Sequence, residues 1–453
     1  MKIDQGLFDH MVLPRGRGGK SDGVISGGCE AAGAICVRVT KAGKPLPGFA
    51  NRFVGRAGRG TFAGELRGIP AGGPYEVELR VEDAEGRTLE SLRARDVLVG
   101  DVWVLAGQSN MEGIGRIVHA MPAHPMVRAF MMDDQWRPAR DGIHNLRDSI
   151  DPVHASFSGQ RPVRSPHVGV GPGVSFGQEM FRRTGVPQGL IACAHGGTRL
   201  GLWSPDLKRE GGGSLYGAML RRVRKNGARV AGVLWYQGES DATEPYAAEY
   251  TPAMRKLVRA MRRDFRAPEL PFVMVQIGRV LGPKWNPELW NSIQEQQRRL
   301  AGVIPHCAVV PAIDLGLDDG IHINGEEQHR LGRRLAQAAR AVLGQRGAGK
   351  PPIALRRVRV EPEHDGCVNI CVEFDNVMGR LESGSRPEGF AMRDHEADVT
   401  IVRVDLNGDC ATLRINGKRP GMLLYYGRGT NPYCNITDSA DRSLPVLGPI
   451  PVA

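Results

Sequence analysis

A serine in the run Asp101-Val-Trp-Val-Leu-Ala-Gly-Gln-Ser-Asn-Met-Glu-Gly113 is the residue most suited to do chemistry. The β-branched and apolar residues before it read as a buried strand, and Gly107 permits a sharp bend. Ser109 then falls at the carboxyl end of that strand, where open α/β sheets bind ligands. Its neighbours Gln108 and Asn110 are amides rather than more core. A nucleophilic serine needs a base, and the base needs a group to orient it. Asp318-Asp-Gly-Ile-His-Ile-Asn-Gly-Glu-Glu-Gln-His329 offers both. Asp319 and His322 stand three apart, so the carboxylate can hold one ring nitrogen while the other faces the serine. Asn324 is a candidate N-cap with Glu327 three residues on, which predicts a reciprocal capping box and a helix carrying Leu331, Leu335, Ala338 and Val342 inward. An Asp-x-x-His by itself is an ordinary polar turn. Together with Ser109 it matches one known chain order of the Ser, Asp, His triad.

Two further strand ends carry groups that could stabilise a developing negative charge. Leu190-Ile-Ala-Cys-Ala-His-Gly-Gly-Thr198 runs into a double glycine whose bare N–H groups can approach an oxyanion. Val230-Ala-Gly-Val-Leu-Trp-Tyr-Gln-Gly-Glu-Ser-Asp241 ends in amide and carboxylate groups. There Gln237 could donate a hydrogen bond, and Glu239 could orient a neighbour or an arginine. Read singly, Gly-Gly is a tight turn and Gln-Gly-Glu a solvated loop. The convergence of several strands on polar chemistry at one edge argues for a site.

These blocks, Gly107-Gln-Ser-Asn-Met111, Gly196-Gly-Thr198 with Trp203, Trp235-Tyr-Gln-Gly-Glu-Ser240 and Asp319-Gly-Ile-His322, resemble the SGNH hydrolase superfamily. The chain is more narrowly similar to its sialate O-acetylesterase branch of carbohydrate esterases. Leu7–Arg15, Ala71–Val77, Val97–Val102 and Tyr425–Pro432 resemble segments of that branch in the same order, so the likeness covers nearly the whole chain. The resemblance implies Ser109 as nucleophile, His322 as general base and acid, and Asp319 as its orienting residue. It also implies an oxyanion hole from the Ser109 N–H, Gly197 and Gln237. Gln108, Arg199 and Glu239 are candidate substrate contacts. Position 241 is Asp where the branch often carries Asn or a small residue. Asp318 beside Asp319 leaves the acidic partner open by one position, although the spacing favours Asp319.

These residues must be positioned by an α/β unit. Strands near Val102, Ile191, Val233, Val273 and Val309 alternate with helices near Val174–Arg183, Leu215–Lys225, Tyr246–Phe265 and Pro287–Leu300, with Pro287 at N1 after Asn286. That alternation predicts a doubly wound parallel sheet, which the resemblance makes an SGNH (flavodoxin-like) catalytic domain. Short alternating strands before it (Ala34–Thr40, Tyr75–Val81) and after it (Ala354–Val360, Val368–Phe374, Ala397–Val404, Cys410–Ile415) predict flanking β-sandwich-like domains. The expected division is 1–96, 97–346 and 347–453, with a linker in Gln345–Pro352.

Composition narrows the function classes. At 453 residues with a formal charge of +11, the chain is basic, but its cations are scattered through helices and only 6% of it is aromatic. No aromatic platform interleaves the arginines, which argues against nucleic-acid binding. Eight dispersed cysteines do not make a disulfide scaffold. His119, His124, His144, His154 and His167 lack metal-ligand spacing and read as loop histidines, so no metal is expected. The chemistry requires no cofactor, and an O-acetylated sugar is the expected partner. No stretch is long enough to span a membrane, and the start does not resemble a signal peptide. Cytoplasmic placement is therefore expected unless a leader has been removed, and Asn435-Ile-Thr437 is expected to be a chance sequon. A glycan-binding protein on an esterase scaffold and a lipase-like or thioesterase-like hydrolase are the alternatives. A complete set of Ser, Asp and His argues against the first, and small polar surroundings of Ser109 argue against the second.

Overall fold

The structure, a computed structural model, describes residues 1–58, 60–156, 169–362, 366–395, 397–417 and 420–452. Its centre is the long strand Thr88–Gly107. The second half of that strand lies between Gln188–Ala192 and Gly232–Tyr236 and runs parallel to both. Phe272–Gln276 and Cys307–Pro311 extend the sheet on the Gly232–Tyr236 side. On the other side stands Val127–Phe130, edged by the antiparallel Trp136–Pro138. Successive strands thus lie on opposite sides of Thr88–Gly107, which makes its carboxyl end a topological switch point. Gln188–Ala192, Gly232–Tyr236 and Phe272–Gln276 are buried throughout. Their mostly apolar runs are what a parallel sheet covered on both faces demands.

The first half of Thr88–Gly107 pairs antiparallel with Gly72–Glu82. That strand belongs to a sheet with Gly33–Lys41, Thr61–Pro70 and Lys20–Gly28. One strand therefore serves both sheets, passing through residues 96 and 97, and one apolar core holds Val77, Leu79, Val99, Val104 and Leu234 together. The C-terminal residues form four-stranded antiparallel sheets, Ala354–Val360, Cys367–Asp375, Cys410–Asn416 and Ile401–Asn407 in one, Phe390–Arg393, Leu423–Tyr426 and Leu447–Pro451 in another with Asp398–Val399. These enclose a separate core around Ile370, Leu413, Leu424 and Tyr426. All eight cysteines are unpaired thiols. Among the described residues no helix is long and apolar enough to cross a membrane.

Local signals place the helices that matter. Asn286 accepts from the Leu289 N–H at 3.0 Å, with Pro287 as the first residue of Pro287–Val303. Asn324 caps Gly325–Val342 by accepting from the Glu327 N–H at 2.9 Å. The expected capping box is only half made. The Asn324 N–H goes to the Gly316 carbonyl and the Glu327 carboxylate accepts from Arg330, so nothing remains for the return bond.

The strand ends at Phe130 and Ala192 are held from beneath by a buried cation. Arg222, on the helix Leu215–Lys225, is fully buried. Its guanidinium donates to the carbonyls of Ala192, Phe130 and Met131 and to Asp134. Burial works to raise Asp134, but Arg221, Arg222 and Lys225 outweigh it and hold the carboxyl below its usual value. Part of the positive charge read from the sequence is thus internal and serves the strand ends beside the site. Arg222→Met breaks the buried pair with Asp134 and takes the guanidinium from the strand-end carbonyls, so we expect urea unfolding to register a loss of about 3–5 kcal/mol. A loss below about 1 kcal/mol would show that the buried cation does not hold this edge.

Candidate active site

The strand Thr88–Gly107 ends where no side chain fits. Gly107 has φ +131°, and a Cβ there would fall 2.1 Å from the Tyr236 carbonyl oxygen. The close approach lets the chain turn at once into the short helix Ser109–Glu112, so Ser109 is its first residue and its N–H has no intrahelical acceptor. Ser109 Oγ lies 2.9 Å from His322 Nε2, although 213 residues separate them. His322 Nδ1 lies 2.7 Å from Asp319 Oδ2. The other Asp319 oxygen accepts from the N–H groups of Ile321 and His322, both at 2.8 Å. Burial tends to raise Asp319, but the hydrogen bonds from His322 and Ile321 prevail and hold it below the ordinary carboxylate value. With Nδ1–H given to a charged Asp319, Nε2 presents its lone pair to the serine hydroxyl. Asp318 faces elsewhere, accepting from the Arg116 N–H at 3.0 Å, so of the two acids Asp319 is the one beside His322.

Asn110 fixes the two segments to each other. Its Oδ1 accepts from the Ile323 N–H at 3.0 Å, and its Nδ2 donates to Glu239 at 3.0 Å and to the Ile321 carbonyl at 3.3 Å. Glu239 is therefore a partner of Asn110 within the wall of the pocket. Gln108 also lines the pocket, its side-chain carbonyl 3.4 Å from the Ser240 N–H.

Two residues expected at the site are turned away from it. Gln237 is fully buried and outside the pocket lining. Its amide nitrogen donates to the Thr198 carbonyl and to Asp241, so both hydrogens are engaged and neither is left for an oxyanion. Arg199 lies outside the lining as well, its guanidinium 4.4 Å from the centre of the Tyr246 ring. Gly197 stands exposed at φ +69° in the pocket wall, and among the described residues its N–H takes no part in the hydrogen bonds that fix the turn.

Side chains that the sequence did not single out complete the pocket, whose volume is about 510 Å³. Glu112 is buried against it with Oε2 2.6 Å from the Gly196 N–H. Burial, only partly offset by that N–H, pushes its carboxyl up to about 8. Trp285 and Lys284 contribute to the wall, the ammonium 4.6 Å from the indole centre. Two of the histidines read as loop residues are in fact buried here. His144 Nδ1 contacts the Glu112 carbonyl at 3.0 Å, and His154 Nδ1 contacts His195 Nδ1 at 2.9 Å. His119 and His124 lie apart, His119 beside Glu326 and His124 against Phe181, and His167 lies outside the described residues. Among the described residues no three His, Cys, Asp or Glu side chains gather as a metal site. Only adjacency to the motifs, Glu112 at the end of the serine run and His195 before Gly-Gly, could have flagged these groups.

Burial holds His144 and His195 down at about 4, so both are neutral imidazoles at physiological pH. An NMR titration of the ring nitrogens should find them uncharged from pH 8 to about pH 5. A midpoint near the usual histidine value for either would contradict a dry, neutral pocket floor.

Residues 99–341 match the family described as carbohydrate esterase, sialic acid-specific acetylesterase. The chain is 31% identical over 250 residues to the "Probable carbohydrate esterase" of Arabidopsis thaliana, covering 52% of this chain and 89% of that one. It is 26% identical over 287 residues to the human sialate O-acetylesterase, covering 54% of this chain but only 52% of the human one. The match thus spans about half the length of the human protein. In fold it is similar to a carbohydrate acetylesterase from Xanthomonas citri, with a TM-score of 0.71, 22% identity and 98% of both chains covered. The family match covers more than half of the chain, which belongs to the sialic acid-specific acetylesterase family of carbohydrate esterases.

Proposed function

We propose that the protein is a serine-type carbohydrate O-acetylesterase with an SGNH catalytic unit, flanked by β domains in the division 1–96, 97–346 and 347–453. The observation that carries the reading is the continuous line from Asp319 through His322 to Ser109, at 2.7 and 2.9 Å. In the first step His322 Nε2 takes the Ser109 proton as Oγ attacks the acetyl carbonyl. The imidazolium is stabilised by Asp319 and then protonates the departing sugar oxygen. Water, deprotonated by the same nitrogen, releases acetate from the acetyl-serine. The Ser109 and Gly197 N–H groups receive the oxyanion. Gln237 acts behind them by holding the Thr198 carbonyl, and so the turn that carries Gly197.

The substrate class follows from the family together with the pocket. An acetylated sugar, either a sialic acid or a plant-type polysaccharide side group, suits a pocket with a half-buried indole at Trp285 and small residues at Gly196 and Gly197. Acetate release should be measured from 9-O-acetylated sialic acid and from acetylated xylan or xyloglucan. Ser109→Ala should lower release at least about 10³-fold, and Asp319→Asn about 10³–10⁴-fold through the wrong imidazole tautomer. Undiminished release by Ser109→Ala, or none from any acetylated glycan by the folded wild type, would overturn the reading. Among p-nitrophenyl esters the acetyl ester should be preferred steeply over longer chains, and the reverse preference would favour a lipase-like enzyme.

A further inference from the structure

The turn Gly196-Gly197-Thr198 is fixed through the Thr198 hydroxyl and carbonyl and the Gly196 N–H. The Thr198 hydroxyl donates to the His195 carbonyl at 2.7 Å and accepts from Trp203 Nε1 at 3.1 Å. The Thr198 carbonyl accepts from Gln237 at 3.1 Å. On the pocket side the remaining tether is Glu112, whose Oε2 accepts the Gly196 N–H at 2.6 Å. That bond engages the first of two successive N–H groups and leaves the Gly197 N–H for the pocket. The contact is close: a Cβ on Gly196 would lie 3.0 Å from Glu112 Oε2 and 3.3 Å from Ser109 Cβ. The carboxyl thus stands beside both the nucleophile and the turn that would receive the oxyanion.

A negative charge there would oppose the charge that develops on the acetyl oxygen. Among the described residues Glu112 has no ion pair to offset it, and the His144 ring on its carbonyl and the nearby His195 are neutral. The acids and bases of the facing segments are already committed, Glu239 to Asn110, Asp319 to His322, and His322 to Ser109. Lys284 and Arg147 line the same pocket, Lys284 over the Trp285 ring. Burial favours the protonated form of Glu112 through neutral pH.

We propose that Glu112 is a positioning residue that works as an uncharged carboxylic acid, holding the Gly196 N–H so that the Gly197 N–H faces the reacting carbonyl, and that its ionisation disables the site on the alkaline side. This role rests on the esterase function proposed for Ser109. It adds a residue outside the triad and a requirement for a neutral acid beside the oxyanion.

The test compares wild type, Glu112→Gln and Glu112→Ala for p-nitrophenyl acetate hydrolysis from pH 5 to pH 10, with the uncatalysed rate subtracted. Wild-type kcat should fall about tenfold per pH unit above about 8. Glu112→Ala should lose about 10- to 100-fold in kcat at neutral pH, with KM changed by no more than about threefold. Glu112→Gln, which keeps a carbonyl for Gly196 and cannot ionise, should recover most of that loss and shift the alkaline limb upward by at least about one pH unit. An alkaline limb unchanged in Glu112→Gln, or a kcat unchanged in Glu112→Ala, would overturn the proposal. Infrared difference spectra of wild type against Glu112→Gln read the carboxyl without turnover. A protonated carboxyl band at pH 7 is expected, and a carboxylate band there would overturn the proposal even if the esterase reading stands. Wild type that hydrolyses no ester while keeping the protonated band would overturn the esterase reading, and with it the positioning role of Glu112.

Discussion

The site depends on the amide of Asn110. Ser109 follows one strand, and His322 lies on a loop 213 residues later, so their approach is not enforced by local structure. Asn110 supplies the tie, with its oxygen on the Ile323 N–H and its nitrogen on the Ile321 carbonyl and Glu239. Both bonds to the histidine loop flank His322, one residue to either side. The Asn110 carbonyl accepts in turn from Gln328 at 3.1 Å, which anchors the same turn to the helix Gly325–Val342. A buried amide with each of its groups paired is costly to disturb, because breaking one bond strands a desolvated partner. Such a network gives a 2.9 Å serine–histidine contact its geometric constancy.

Beneath that tie lies a division of electrostatic labour. A buried charge cluster, Asp134 with Arg221, Arg222 and Lys225, secures the strand ends. Next to the nucleophile the buried groups are mostly neutral: His144, His195 and, through neutral pH, Glu112. Asp319, on the exposed side of the site, is held charged by three hydrogen bonds. Neutral buried groups beside an oriented carboxylate suit a reaction whose charge appears transiently on an oxygen and on an imidazole.

The parts of this arrangement that are legible in the sequence are those with local signatures. Strand, glycine and serine occur in one run, and Asp319 and His322 precede an asparagine N-cap, so their places follow from short-range rules. The parallel order follows from the alternation of strands and helices. What is not legible depends on where side chains point after a turn. Gln237 lies one residue before Gly238, at φ +151°, and its amide is directed to Thr198 and Asp241 rather than to Ser109. Arg199 sits next to the Gly-Gly turn in sequence but stacks on Tyr246. Glu112 and Arg222 look like ordinary surface charges when only their neighbours in sequence are known. Their burial follows from tertiary packing that no periodicity reveals.

If Ser109 carries the acyl group between the two half-reactions, the acetyl-serine can be trapped. The direct measurement is to mix the protein with excess p-nitrophenyl acetate, quench in acid within milliseconds, and map the acetylated peptide by mass spectrometry. One acetyl group is predicted, on Ser109, formed in step with a burst of p-nitrophenolate. Turnover with no adduct on Ser109, or with the acetyl group on another residue, would contradict the serine mechanism.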